Sequence, residues 1–88
     1  MTKVVKRDGA MVGFESSKIV NAIQRAMTET KEGIDLQLIE KIVNDIETKI
    51  KDRVDLIKVE QIQDLVEDLL MSSPRKDVAK RYILYRYE

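Results

Sequence analysis

The chain is 88 residues long, 43% apolar and 36% charged, with 16 basic and 16 acidic side chains and zero formal net charge. That bounds it to one domain, spanning 1–88, with one modest core and too little chain for an elaborate catalytic cleft besides. Cysteine and histidine are both absent, which excludes disulfides, thiol chemistry, a Cys-based zinc site, the commonest general base and the commonest transition-metal ligand.

No apolar run approaches the ~18 residues of a membrane span, and no signal-peptide apolar segment opens the chain, so a cytoplasmic location without membrane contact is expected. The charge is uneven. Residues 1–25 carry five cations and two acids, 26–72 carry six and twelve, and 73–88 carry five and two. If both ends meet in space they form a local basic patch, which suits a small polyanion better than a long duplex.

The first element expected is a hairpin. Asp8-Gly9 between extended runs is a strong signal for a two-residue type I′ turn. That turn sets Arg7 opposite Ala10, Lys6 opposite Met11, Val5 opposite Val12 and Lys3 opposite Phe14. Strand alternation then gives Val5, Val12 and Phe14 a core-facing side, and gives Val4, Lys6 and Met11 a side that suits a flat base and a phosphate.

Ser16 or Ser17 can cap a helix running to about Thr30, burying Ile19, Ala22, Ile23, Ala26 and Met27. Gly33 ends that segment, and Asp35 caps a second helix over 36–51 with a stripe from Leu38 to Ile50. Val54, Leu56 and Ile57 suggest a short strand that pairs with the hairpin. A third helix over 60–71 buries Ile62, Leu65, Val66, Leu69 and Leu70. Ser73 as N-cap and Pro74 as first helical residue then start a fourth, with Val78, Ala79, Tyr82, Ile83 and Tyr85 facing inward. The fold class is α+β: about four helices in a bundle, capped by a small two- to three-stranded sheet that must pack on them.

The paired cations Lys6 and Arg7 beside the turn are the best candidates for chemistry. Arginine offers a planar fork to phosphate oxygens and lysine a mobile point charge. Each charge-assisted contact contributes roughly 1.5–3 kcal/mol, so two or three reach micromolar binding at about −8 kcal/mol. Spacing alone leaves the plainer reading open, a pair of solvated surface charges.

The run Lys6-Arg7-Asp8-Gly9, then Phe14, Lys18-Ile19 and Ala22-Ile23, resembles the opening of the ATP-cone domain, and Tyr82-Ile83-Leu84-Tyr85-Arg86 resembles that family's last helix. ATP cones are regulatory domains of ribonucleotide reductases, including the anaerobic kind. The resemblance implies an allosteric domain without its own catalytic centre, which binds ATP or dATP, with Mg2+ held through the phosphates. It implies as partners the catalytic domain of a larger reductase and a homo-oligomer, with ATP favouring activity and dATP suppressing it.

By the same resemblance Lys6 and Arg7 contact phosphate, Val4 and Ile19 contact the purine, and Lys18 is the lysine of the first helix. Lys18 sits unfavourably at the positive end of that helix, a penalty that a bound anion would reverse. Asp8 and Gly9 are structural. Some relatives carry a glutamate in the second strand where this chain has Val12-Gly13, with Glu15 the nearest carboxylate. Some carry a hydroxyl residue where Val59 stands. Gln63, one turn later, is the residue left to bond a sugar or base.

Other features have plainer explanations. Ser73-Pro74-Arg75-Lys76 formally matches a Ser-x-x-Lys nucleophile motif, but the companion motifs are missing. Tyr82, Tyr85 and Tyr87 read as core and rim packing rather than a base-stacking platform. Asp64, Glu67 and Asp68 read as a solvated face without metal-loop spacing. The alternatives to a nucleotide sensor are a small helical protein-interaction module and a nucleic-acid binder that uses the two basic ends.

Overall fold

The computed structural model describes residues 2–50 and 54–87. Its elements run β1 (Lys3–Val5), β2 (Met11–Gly13), α1 (Ser16–Thr28), α2 (Leu36–Ile50), β3 (Leu56–Lys58), α3 (Val59–Ser72) and α4 (Lys76–Arg86). The fold is α+β, four helices beneath a three-stranded sheet of order β2-β1-β3. The central strand pairs antiparallel with β2 and parallel with β3. Thr2 pins that strand: its hydroxyl donates to the Val54 carbonyl at 2.7 Å, and its own carbonyl accepts from Phe14 at 3.1 Å.

The apolar stripes of the helices meet in one core. Ile23 and Met27 from α1, Ile39 and Ile46 from α2, Val66 and Leu70 from α3 and Val78 from α4 are all fully enclosed. Each such side chain is worth about 1.5–3 kcal/mol of transfer free energy, so the helices hold the sheet rather than the reverse. Val4 and Ile57 are the sheet's contribution to that core.

The hairpin register differs from the expected one by a residue. Val4 lies opposite Val12 and Val5 opposite Met11. The loop is three residues long: Gly9 N–H donates to the Lys6 carbonyl at 3.0 Å, and Lys6 N–H donates to the Ala10 carbonyl at 2.8 Å. A loop of this kind needs the left-handed conformation only at its glycine, and Gly9 adopts it with φ of 88°. Asp8 supports it by accepting the Ala10 N–H at 3.0 Å, a bond a two-residue turn would not offer. A slip of one residue exchanges faces along a strand. So Val4, Lys6 and Val12 share the inner face, and Val5 and Met11 turn outward, Met11 to 64% exposure.

Helix ends also move. No serine side chain caps α1; Glu15 holds the cap position in extended backbone, and Ser16 is already helical. The helix stops at Thr28, before the expected Thr30, whose hydroxyl donates to the Met27 carbonyl at 2.7 Å. Asp35 caps α2 as expected, accepting the Leu38 N–H at 3.2 Å, while residue 51 lies outside the described residues.

Ser73 does not start α4. Its hydroxyl donates to the Leu70 carbonyl at 2.6 Å and so closes α3, and it accepts the Arg75 N–H at 3.2 Å. Pro74 lies in the turn between, and the helix begins at Lys76. Arg75 is the reason. Its buried guanidinium donates to Thr30 Oγ1 and to the Gly33 carbonyl, both at 3.0 Å, which holds the chain against the α1–α2 connection before it can turn.

Candidate functional site

Between the hairpin, α1 and α3 the inner face of the sheet stands off the bundle and leaves a slot of about 220 Å³. That is smaller than the ~300–1,000 Å³ of sites that enclose a whole drug-sized ligand. It has room for the base end of a nucleotide, with the remainder outside. Its walls are apolar: Val4 and Val12 from the hairpin, Ile19 and Ala22 from α1, Val59, Ile62 and Val66 from α3. Lys6, Lys18 and Glu15 line it as charged groups, together with Gln63 of α3.

Five of the six candidate residues therefore share one cavity: Val4, Lys6, Lys18, Ile19 and Gln63. Val4 and Ile19 are nearly buried, at 7% and 6% exposure, because each is a core residue whose edge is left open to the slot. Lys6 and Lys18 are exposed and, among the described residues, have no ion-pair partner. The first turn of α1 carries no acid, so the positive end of its dipole and the Lys18 ammonium add. Two cations without an ion-pair partner among the described residues and a helix N-terminus, offset in part by the Glu15 carboxylate at the cap, border an apolar slot that suits a flat group with an anionic tail.

Arg7 stands apart. It lines a shallow groove beside the slot with Lys6, Asp8, Val59 and Gln63. Its guanidinium donates to Gln63 Oε1 at 3.3 Å and to the Arg86 carbonyl at 3.2 Å, and its Nε lies 3.4 Å from Glu60. The two basic ends of the chain do meet at this bond, but the C-terminal cations are largely spent. Arg86 is buried and paired with Asp64 and Glu67, Arg75 pairs with Asp77 and Glu32, and Arg81 with Glu29. The acidic run of α3 is thus more than a solvated face, since Asp64 and Glu67 hold Arg86.

The tyrosines separate. Tyr85 lies under the Arg25 guanidinium, 4.7 Å from its ring centre, and Tyr87 is exposed beside Arg86 at 5.1 Å. Tyr82 is in the core but also lines the slot. Sequence reasoning missed Tyr82, Ala22, Ile62 and Val66 as lining residues. Helical spacing marks all four as inward-facing, and nothing in it tells a filled interior from an open edge.

The chain matches the ATP cone domain over residues 2–88. It is 45% identical over 89 aligned residues to the vitamin B12-dependent ribonucleoside-diphosphate reductase of Thermoplasma acidophilum, covering 96% of this chain and 11% of that protein. It is 36% identical to the anaerobic ribonucleoside-triphosphate reductase of Haemophilus influenzae, covering 97% of this chain and 12% of that one. A ribonucleoside-diphosphate reductase subunit alpha of Chlamydia pneumoniae is 35% identical, with 94% and 9% covered.

The chain belongs to the ATP-cone family, whose members are in general regulatory domains that bind ATP or dATP as effectors. It spans about a tenth of the length of these reductases and corresponds to their cone rather than to a catalytic unit. No described helix is long and apolar enough to cross a membrane.

Proposed function

We propose that this chain is the nucleotide sensor of a ribonucleotide reductase, a single regulatory unit over residues 1–88 that binds ATP or dATP in the slot and passes the signal to a catalytic domain. The observation that carries the reading is the convergence of Val4, Ile19, Lys6, Lys18 and Gln63 on one small apolar cavity with a cationic rim. In it the purine lies between Val4 and Ile19. Lys6 and Lys18 take the polyphosphate, Arg7 joins them from the neighbouring groove, and Gln63 offers its amide to sugar or base. Mg2+ comes with the phosphates.

Control of the reductase, and any change in its oligomeric state, requires the nucleotide to bind two conformations with different affinity, because equal binding shifts nothing. Internal pairing of Arg75, Arg81 and Arg86 leaves little extended positive surface, which weighs against a nucleic-acid partner.

Isothermal titration with ATP, dATP, GTP and CTP tests the reading. ATP and dATP should bind within a few fold of each other and raise the melting temperature, and GTP should bind at least ~10-fold more weakly, ~1.4 kcal/mol. Equal binding of ATP, GTP and CTP would reduce the site to a polyphosphate patch.

A further inference from the structure

Arg7 caps a helix to which it does not belong. Carbonyls in the last turn of a helix have no N–H ahead of them within the helix, and the negative end of its dipole favours a cation. At the end of α4 the hairpin loop supplies both, because the Arg7 guanidinium donates to the Arg86 carbonyl at 3.2 Å. The same guanidinium reaches the first turns of α3, where Gln63 Oε1 accepts at 3.3 Å and the Glu60 carboxylate lies 3.4 Å from Nε. One side chain of the loop thus ties the hairpin to two helices.

These ties are exchangeable. The Arg7 side chain is 56% exposed, and its pair with Glu60 lies at the surface, where such contacts are weak. Lys6, Val59 and Gln63 line both the slot and the groove that holds Arg7, so the two adjoin where the polyphosphate is assigned. A phosphate offers a guanidinium two charged oxygens at once, a stronger acceptor than one neutral carbonyl. The Arg86 side chain does not follow Arg7, since it is buried and held on α3 by Asp64 and Glu67. What the exchange releases is the main chain of the last turn.

We propose that nucleotide binding uncaps α4: the polyphosphate draws Arg7 off the Arg86 carbonyl and loosens the last turn of the helix, which couples the slot to that turn. This names the regulation of the proposed slot and rests on the nucleotide reading. The coupling is reciprocal. A neighbour that holds the last turn in its capped form weakens ATP binding, and one that takes up the loosened turn strengthens it.

Hydrogen exchange on the intact chain tests it. Amide rates are measured by NMR for the empty protein and at saturation with ATP or with adenosine. A ligand that only stabilises the fold slows exchange or leaves it unchanged, whereas loss of a cap speeds it locally. With ATP the amides of Tyr85, Arg86 and Tyr87 should exchange about 2–5-fold faster, the range for one charge at a helix end, and those of α1 should not. Adenosine, which carries no phosphate, should not speed the last turn. In the empty Arg7→Ala protein that turn should already exchange faster by the same factor, and saturating ATP should add nothing.

Unchanged or slower exchange of the last turn at ATP saturation overturns the proposal and leaves the nucleotide reading standing. So does an equal effect of adenosine, which would assign the change to filling of the slot. An Arg7→Ala protein whose last turn still responds to ATP overturns it as well. The wild-type comparison stands even if that variant folds poorly. Absence of ATP binding by the wild-type chain would instead remove the nucleotide reading beneath it.

Discussion

The guanidinium of Arg7 donates to the main-chain carbonyl of Arg86 at 3.2 Å, which fastens the hairpin loop to the last turn of α4. Arg86 is in turn gripped by Asp64 and Glu67 of α3, and its Nη2 donates to the Glu60 carbonyl at 3.1 Å. Arg7 is therefore occupied by protein before any phosphate arrives, whereas Lys6 and Lys18 have no ion-pair partner among the described residues. A phosphate recruits Arg7 only in competition with Glu60 and Gln63.

That difference orders a set of mutants. Lys6→Ala should weaken ATP binding by roughly 1–3 kcal/mol, and Arg7→Ala by the lower end of that range, because Arg7 must first be released. Glu60→Gln removes the competing charge and should tighten binding about 2–5-fold, less than ~1 kcal/mol, as expected for an exposed pair. Circular dichroism should stay unchanged in all three. Unaltered affinity in both the Lys6 and Arg7 variants would rule out the hairpin as the phosphate site.

The helices were legible because their stripes are long. Ile39, Ile42, Val43, Ile46 and Ile50 repeat at helical spacing, and every one of them is buried. The hairpin was legible as a hairpin but not in register. Asp8-Gly9 serves both a two-residue turn and a three-residue loop, and the longer loop comes with the Ala10 N–H donating to Asp8 and with Val4 buried on the inner face. The start of α4 was misplaced because Ser73-Pro74 is a valid start locally, and only the distant Thr30 and Gly33 hold Arg75 out of the helix. Charge pairing across helices, Arg86 with Asp64 and Glu67, leaves no periodic trace at all. Of the site, Val4, Lys6, Arg7, Lys18, Ile19 and Gln63 were singled out from residues and resemblance, and Tyr82 was hidden by looking like core.

Lys18 allows a test that separates binding from folding. It lies in the first turn of α1, where a cation opposes the helix dipole and an acid favours it. Lys18→Glu should leave the empty protein melting no lower than the parent, yet bind ATP much more weakly than Lys18→Ala does. Normal ATP affinity in the glutamate variant would place the phosphates elsewhere.

Arg75 is predicted to matter for stability rather than for nucleotide. It joins Thr30, Gly33, Glu32 and Asp77, so Arg75→Met unties α4 from the α1–α2 connection. A loss of roughly 2 kcal/mol is expected for such charge-assisted bonds. At ~4–8 °C per kcal/mol for a domain of this size, that lowers the melting temperature by about 8–16 °C.

The pair also gives an acid limb. The hydrogen bond from Arg75 holds the Asp77 carboxyl below its usual range. Its contribution is therefore complete above the unfolded value of ~3.9 and is lost as pH falls through the lower folded one. Asp77 is 42% exposed, so this part should be small and shrink with salt. A methionine variant with unchanged melting temperature and an unchanged acid limb would show that Arg75 is not the tie.

The slot itself can be closed from α1. Ala22 is half-buried on the wall that faces Val4 and Tyr82, and the space before it is empty. Ala22→Leu puts an isobutyl group into that space without displacing a neighbour, and leucine is nearly as good a helix former as alanine. The added side chain buries apolar surface, at about 25 cal/mol per Å², so the variant should melt at or slightly above the parent temperature. It occupies the volume assigned to the purine. ATP affinity should fall at least ~100-fold, ~2.7 kcal/mol. Lys6 and Lys18 remain in place, so whatever weak affinity the chain has for inorganic triphosphate should persist. A folded Ala22→Leu protein that still binds ATP normally would show that the base does not enter the slot, and the sensor site would have to be sought on another face of the chain.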